Sequence, residues 1–208
     1  MTAAARAQLL ARGLQLEYLT VGWNIAEGLI AVGAGVAAGS IALVGFGVDS
    51  FVETISGAIL LWRLRAEAGG TADEERIEHV ERRAERLVGV SFAILAAYVA
   101  FEALRTLTAG DRPEASPVGI VLTAVSIGVM LWLARAKRET GEALGSRALV
   151  ADSRQTCACR YLSVTTLGGL ALNALFGLWW ADPLAALAIA VFLVREAREA
   201  WEGDDHDG

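Results

Sequence analysis

Asp49 and Glu53 stand four residues apart in the largely apolar run IALVGFGVDSFVETISGAILLW. That spacing puts both carboxyls on one face of an α-helix, about one turn apart. Two ionised carboxylates stacked in this way repel each other, so the pair makes sense where a cation sits between them or where one holds a proton. The competing reading is an acid pair satisfied by arginines or hydroxyls of a neighbouring helix. A second polar stretch, ADSRQTCACR, precedes the apolar run YLSVTTLGGLALNALFG. In it Asp152, Gln155 or Thr156, and Cys159 recur at i, i+3, i+4 and i+7 and form one helical stripe. Carboxylate, amide oxygen and thiolate on one face are a plausible ligand set for a metal cation. A polar seam between packed helices would produce the same stripe. Cys157 points elsewhere, and two cysteines two residues apart on a helix diverge by about 200°, which excludes a disulfide between them.

The elements that carry these residues are membrane spans. The chain has 208 residues, 55% of them hydrophobic, and three prolines. Its mean hydropathy of +0.46 sets it apart from a soluble domain of this size. A bilayer core about 30 Å thick needs roughly 20 mainly apolar residues per helix. Six stretches approach that length, at 16–38, 41–62, 87–109, 118–134, 148–175 and 178–194. The sequence therefore predicts an all-α integral membrane protein: a cytoplasmic segment 1–15, a six-helix domain 16–200, and a disordered acidic tail 201–208. At mid-membrane each charged group costs about 2.5–3.5 kcal/mol on insertion scales, so the acids above require a purpose.

Orientation follows from the basic residues. With both termini in the cytoplasm, Arg6, Arg12, Arg63, Arg65, Arg76, Arg82, Arg83, Arg86, Arg135, Lys137, Arg138, Arg147, Arg195 and Arg198 all lie inside. Arg105 and Arg112 lie outside, and Arg154 and Arg160 flank the stripe of the fifth span. The net charge of −6 arises from acids in the same inner loops and in the tail, which weigh little in orientation. In this arrangement Asp49 lies roughly 12 Å and Glu53 roughly 18 Å below the outer face. Cys159 lies roughly 20 Å, Gln155 roughly 26 Å and Asp152 roughly 30 Å below it, so the two polar stripes overlap near Glu53 and Cys159.

Other polar positions have simpler readings. Glu102 is three residues from Arg105, the spacing of an ordinary ion pair near the outer end. Asn24 and Glu27 lie at membrane depth in the first span, where Glu27 is either a proton relay or a packing contact. Thr71 or Asp73 is placed to cap the helix leading into the third span. His79 lies among glutamates on a solvated charged helix, with a secondary cation-docking site as the alternative. Asp204, Asp205 and His206 belong to the tail. Pro183 and the tryptophans of GLWWADP mark a tight turn at an interface.

These residues together resemble the cation diffusion facilitator family of divalent-metal transporters. The run GSIALVGFGVDSFVE is similar to that family's segment entering the second span, in which Asp or His is followed four residues later by Asp. AFEAL in the third span, ALVADS opening the fifth and WWADPLAALAIA opening the sixth also fit, so that the likeness covers residues 16 to 200. It carries Asp49 and Glu53 over as metal ligands. Gln155 and Cys159 carry over by position, standing where many members have His and then Asp. Asp152 matches the family's Ala-Asp pair, which is not usually counted in the central site. The expectation is a short member without the cytoplasmic metal-binding C-terminal domain.

The resemblance implies a homodimeric, multi-pass efflux transporter of the cell's inner membrane that exchanges a divalent cation for protons by alternating access. Oxygen and thiolate ligands favour zinc or cadmium, whereas an oxygen-dominated site would take iron(II) or manganese. Zinc is the expected substrate. Metal ligands must be deprotonated to bind, so that loading the site releases protons. A membrane enzyme is disfavoured, because no His lies within a span to act as base and no hydrolase motif is present. A membrane metal sensor or scaffold that binds without moving its ion is the alternative. No nucleic-acid partner is expected.

Overall fold

The computed structural model describes residues 2–69 and 74–202; side chains are described over most of that range, and those of residues 74–88, 154, 155, 157 and 158 are among the exceptions. The readings of Thr71 and Asp73 as caps, of His79 and of the tail residues Asp204, Asp205 and His206 lie outside the described residues. Six helices make up the described chain: α1 (Ala3–Ala38), α2 (Ile41–Ala68), α3 (Glu74–Ala109), α4 (Pro117–Leu144), α5 (Arg147–Phe176) and α6 (Ala181–Glu202). The molecule is an all-α integral membrane protein.

Four of these helices are long and apolar enough to cross a membrane by composition alone: α1, α2, the Gly89–Ala109 part of α3, and α4. The other two carry the charges that lower their hydropathy, Asp152, Arg154 and Arg160 on α5 and Asp182, Arg195, Glu196 and Arg198 on α6. Packing places them. α5 lies along α4 and α6, and α6 pairs with α3. Apolar residues fill the space between helices, as in the cluster of Phe46, Val99, Leu170 and Ile189, and also face outward, where Leu29, Phe101, Leu175 and Val191 are each more than 60% exposed. The polar ones turn inward, where Glu17, Asn24, Glu27, Asp49, Glu53, Lys137 and Asp182 are buried.

Short connections keep sequential helices antiparallel. Gly39, at φ 67°, ends α1, and Ile41 already begins α2. Gly177, at φ 64°, ends α5, and α6 starts four residues later, so GLWWADP is the tight turn its Pro and Trp suggest. The ends of the bundle differ. At one, Leu10, Leu60, Leu64, Leu144 and Leu149 from α1, α2, α4 and α5 form an apolar plug. At the other, Asp182 accepts the Ser40 hydroxyl at 2.5 Å and the backbone N–H groups of Ile41 and Ala42 at 3.1 and 3.5 Å. A carboxylate there answers the unpaired amides at the start of α2. Ala38 O accepts from Glu114 N and Pro113 O from the Asn173 amide, each at 2.8 Å, which ties the loop before α4 to the same end.

Helix α1 begins at Ala3, well before the apolar run that starts near residue 16. Residues 3–15 continue the helix of the span, and Leu10 packs in the plug.

Candidate metal centre

The site is built at the crossing of α1, α2 and α5. Helices α1 and α2 touch backbone to backbone. A Cβ added at Gly47 would lie 2.8 Å from Val32 N and 2.9 Å from the Ala31 Cβ. That approach brings Asn24 of α1 onto Glu53, six residues further along α2. Between α2 and α5, Asp49, Glu53 and Cys159 come together, each offering one ligand atom, with all three atoms within 4.8 Å of one another. Their residues are 3%, 8% and 7% exposed. In a tetrahedral shell with bonds of 2.0–2.3 Å, neighbouring ligand atoms stand about 3.3–3.8 Å apart, so a shift of about an ångström fits this trio around one ion.

The surroundings support one of the carboxylates without neutralising it. The Asn24 amide donates to Glu53 Oε2 at 2.9 Å. Glu53 Oε1 and Asn24 Oδ1, both buried, have no hydrogen-bond partner among the described residues. No lysine or arginine forms an ion pair with Asp49 or Glu53 among the described residues. Among the described residues, the side chain that donates to Glu53 from α1 is a neutral amide. Two acids and a thiol in so small a space cannot all be ionised without a cation or protons among them.

Glu27 lies one turn of α1 beyond Asn24, outside the trio. Its Oε2 accepts from Ser50 at 3.0 Å and its Oε1 from the Trp23 indole at 3.3 Å. Asp152 is two turns of α5 from Cys159 and is held elsewhere. Its Oδ2 lies 2.5 Å from Lys137 Nζ, which is also 3.0 Å from Glu17 Oε1. The side chain of Gln155 lies outside the described residues, as does that of Cys157. Glu102 and Arg105 pair at 3.2 Å near the end of α3, as their spacing suggests.

Sequence reasoning missed two participants of this interior, Lys137 and Glu17. Lys137 reads as one of several positive charges at the end of α4. Its signal is helical phase: Ser126, Met130, Leu133, Lys137, Thr140 and Leu144 form the buried stripe of α4, and Lys137 falls in its middle.

Comparison with known proteins agrees with this architecture. Residues 19–202 match the family model described as the cation efflux transmembrane domain. An uncharacterized transporter of Methanocaldococcus jannaschii is 25% identical over 183 residues, which cover 86% of this chain and 64% of the relative. An uncharacterized transporter of Synechocystis is 26% identical over 82% of this chain and 56% of its own length. The cation-efflux pump FieF of Shewanella oneidensis is 27% identical over 76% of this chain and 54% of its own length. The chain thus spans between about half and two thirds of the length of these curated relatives. With the matched region running through all six helices and containing Asp49, Glu53 and Cys159, the chain belongs to the cation efflux family, the cation diffusion facilitators.

Proposed function

We propose that this protein carries a divalent metal cation, zinc foremost, out of the cytoplasm in exchange for protons, through a site formed by Asp49, Glu53 and Cys159. One observation carries the reading. Three buried groups able to ligate a metal, drawn from α2 and α5, converge midway along the bundle with no cationic side chain paired to them among the described residues. Oxygen and sulfur ligands together favour zinc or cadmium over manganese. Gln155, one turn of α5 from Cys159, is proposed as a further oxygen ligand, and Asp152 as a carboxylate on the cytoplasmic approach. Protons and the dication compete for the same atoms, because each ligand must be deprotonated to bind, and this competition supplies the coupling. Assembly as a homodimer in the inner membrane rests on the family resemblance.

The test is zinc flux into proteoliposomes under an imposed pH gradient, with Asp49→Ala beside the wild type. Flux that follows the gradient and falls to background in the variant is the expected result. Equal flux in both would displace the site. Zinc binding without flux, with cadmium, iron(II) and manganese also immobile, would mark a sensor or scaffold.

A further inference from the structure

A lysine with no exposed surface is costly anywhere and more so inside a membrane bundle. Lys137 is such a residue, and both acids around it come from other helices: Glu17 of α1, itself 0% exposed, and Asp152 of α5. The ammonium thus joins α4 to α1 and α5. The position of this triad is informative. Glu17 Oε2 lies 3.6 Å from where a Cβ on Gly57 would stand, and Gly57 is one turn past Glu53 on α2. Asp152 is two turns before Cys159 on α5, about 10 Å along the axis. Beyond the triad, toward the same end, comes the leucine plug of α1, α2, α4 and α5. From that end of the bundle the order is therefore plug, charged triad, then the Asp49–Glu53–Cys159 cluster.

Resting on the transport reading above, we propose that Lys137 is a tethered cation that bars the cytoplasmic approach to the metal cluster. While its ammonium occupies Glu17 and Asp152, the path between α1, α4 and α5 stays shut. When the three helices part, the same two carboxylates face the incoming dication. A purely structural ion pair would leave access from either face alike; a barrier changes access from one face only.

Cys159 is a reporter already in place. In a Cys157→Ala background, the full-length protein in oriented vesicles is exposed to a membrane-impermeant, cationic thiol reagent from one face or the other, with and without zinc. The parent should react slowly from the cytoplasmic face. Lys137→Met should accelerate that reaction at least about tenfold, with no gain from the opposite face, whereas Lys137→Arg should stay near the parent rate. Should Lys137→Met fail to fold for want of a partner for its acids, the charge-free triple variant Glu17→Gln, Lys137→Met, Asp152→Asn should give the same one-sided gain. Parent-rate labelling in both open variants, while zinc still protects Cys159, would overturn the barrier and leave the transport site standing. Equal acceleration from both faces would overturn it as general loosening. Zinc that protects Cys159 in no variant would remove the cation site itself, and the barrier with it.

Discussion

At the scale of single residues, the least obvious contributor is Asn24. It donates a hydrogen bond to Glu53 across 29 residues of chain. A neutral donor fixes where the carboxylate points and leaves its charge available to a metal, which a lysine in the same place would not do. Supporting contacts of this kind are typically worth 10- to 100-fold in metal affinity. Asn24→Ala should therefore raise the zinc KM for flux by about tenfold with little change in maximal rate, as measured in the same proteoliposomes. A fall in maximal rate at unchanged KM would give Asn24 a different role. Cys159 was legible as a candidate ligand from its phase relative to Asp152, and it does lie beside Asp49 and Glu53. Asn24 was visible only as a polar residue at depth, because a contact between α1 and α2 has no signature in the spacing of either helix.

At the scale of helices, the close α1–α2 crossing determines whether Asn24 can reach Glu53. Gly47→Ala places a methyl 2.8 Å from Val32 N, a contact that only displacement of a helix can relieve. The expected cost is about 1–3 kcal/mol of stability, seen as an earlier thermal unfolding in detergent. The same variant should bind zinc more weakly than wild type, since moving α2 away from α1 stretches the amide–carboxylate contact. The six helices were readable from hydropathy and from the turn marked by Pro183 and the tryptophans of GLWWADP. The start of α1 was not, because residues 3–15 hold too much polarity to register as a span while still being good helix formers. The polar half of α5 was legible for a different reason: charge at that depth demands explanation. Its use is divided, with Cys159 facing α2 and Asp152 facing Lys137. A single stripe on one helix cannot show that its two ends meet different partners.

At the scale of the molecule, the buried acids are set into a largely apolar interior, and a metal held as proposed would bind only the assembled bundle. Zinc should accordingly raise the unfolding temperature of the wild type. At a free concentration of one hundred times Kd the stabilisation is about 2.7 kcal/mol, and Asp49→Ala should lose it. The gain should shrink as the pH falls, because two carboxyls and a thiol must shed protons before they can ligate. A zinc-induced shift independent of pH, measured by thermal scans at a series of pH values, would point to sites other than this trio.

The clasp between Asp182 and the start of α2 bears on how such a molecule can move. It fastens α6 to the start of α2, through the Ser40 hydroxyl and two backbone amides. A tilt of α2 about this fixed end would have its fulcrum at Ile41. Displacement then grows with distance along the shaft. A tilt of 10° carries Asp49, about 12 Å away, by about 2 Å, and the level of Gly57, about 24 Å away, by about 4 Å. Thus such a swing would move the far end of α2 twice as far as the upper carboxylate, opening the approach by more than it stretches the ligand cluster.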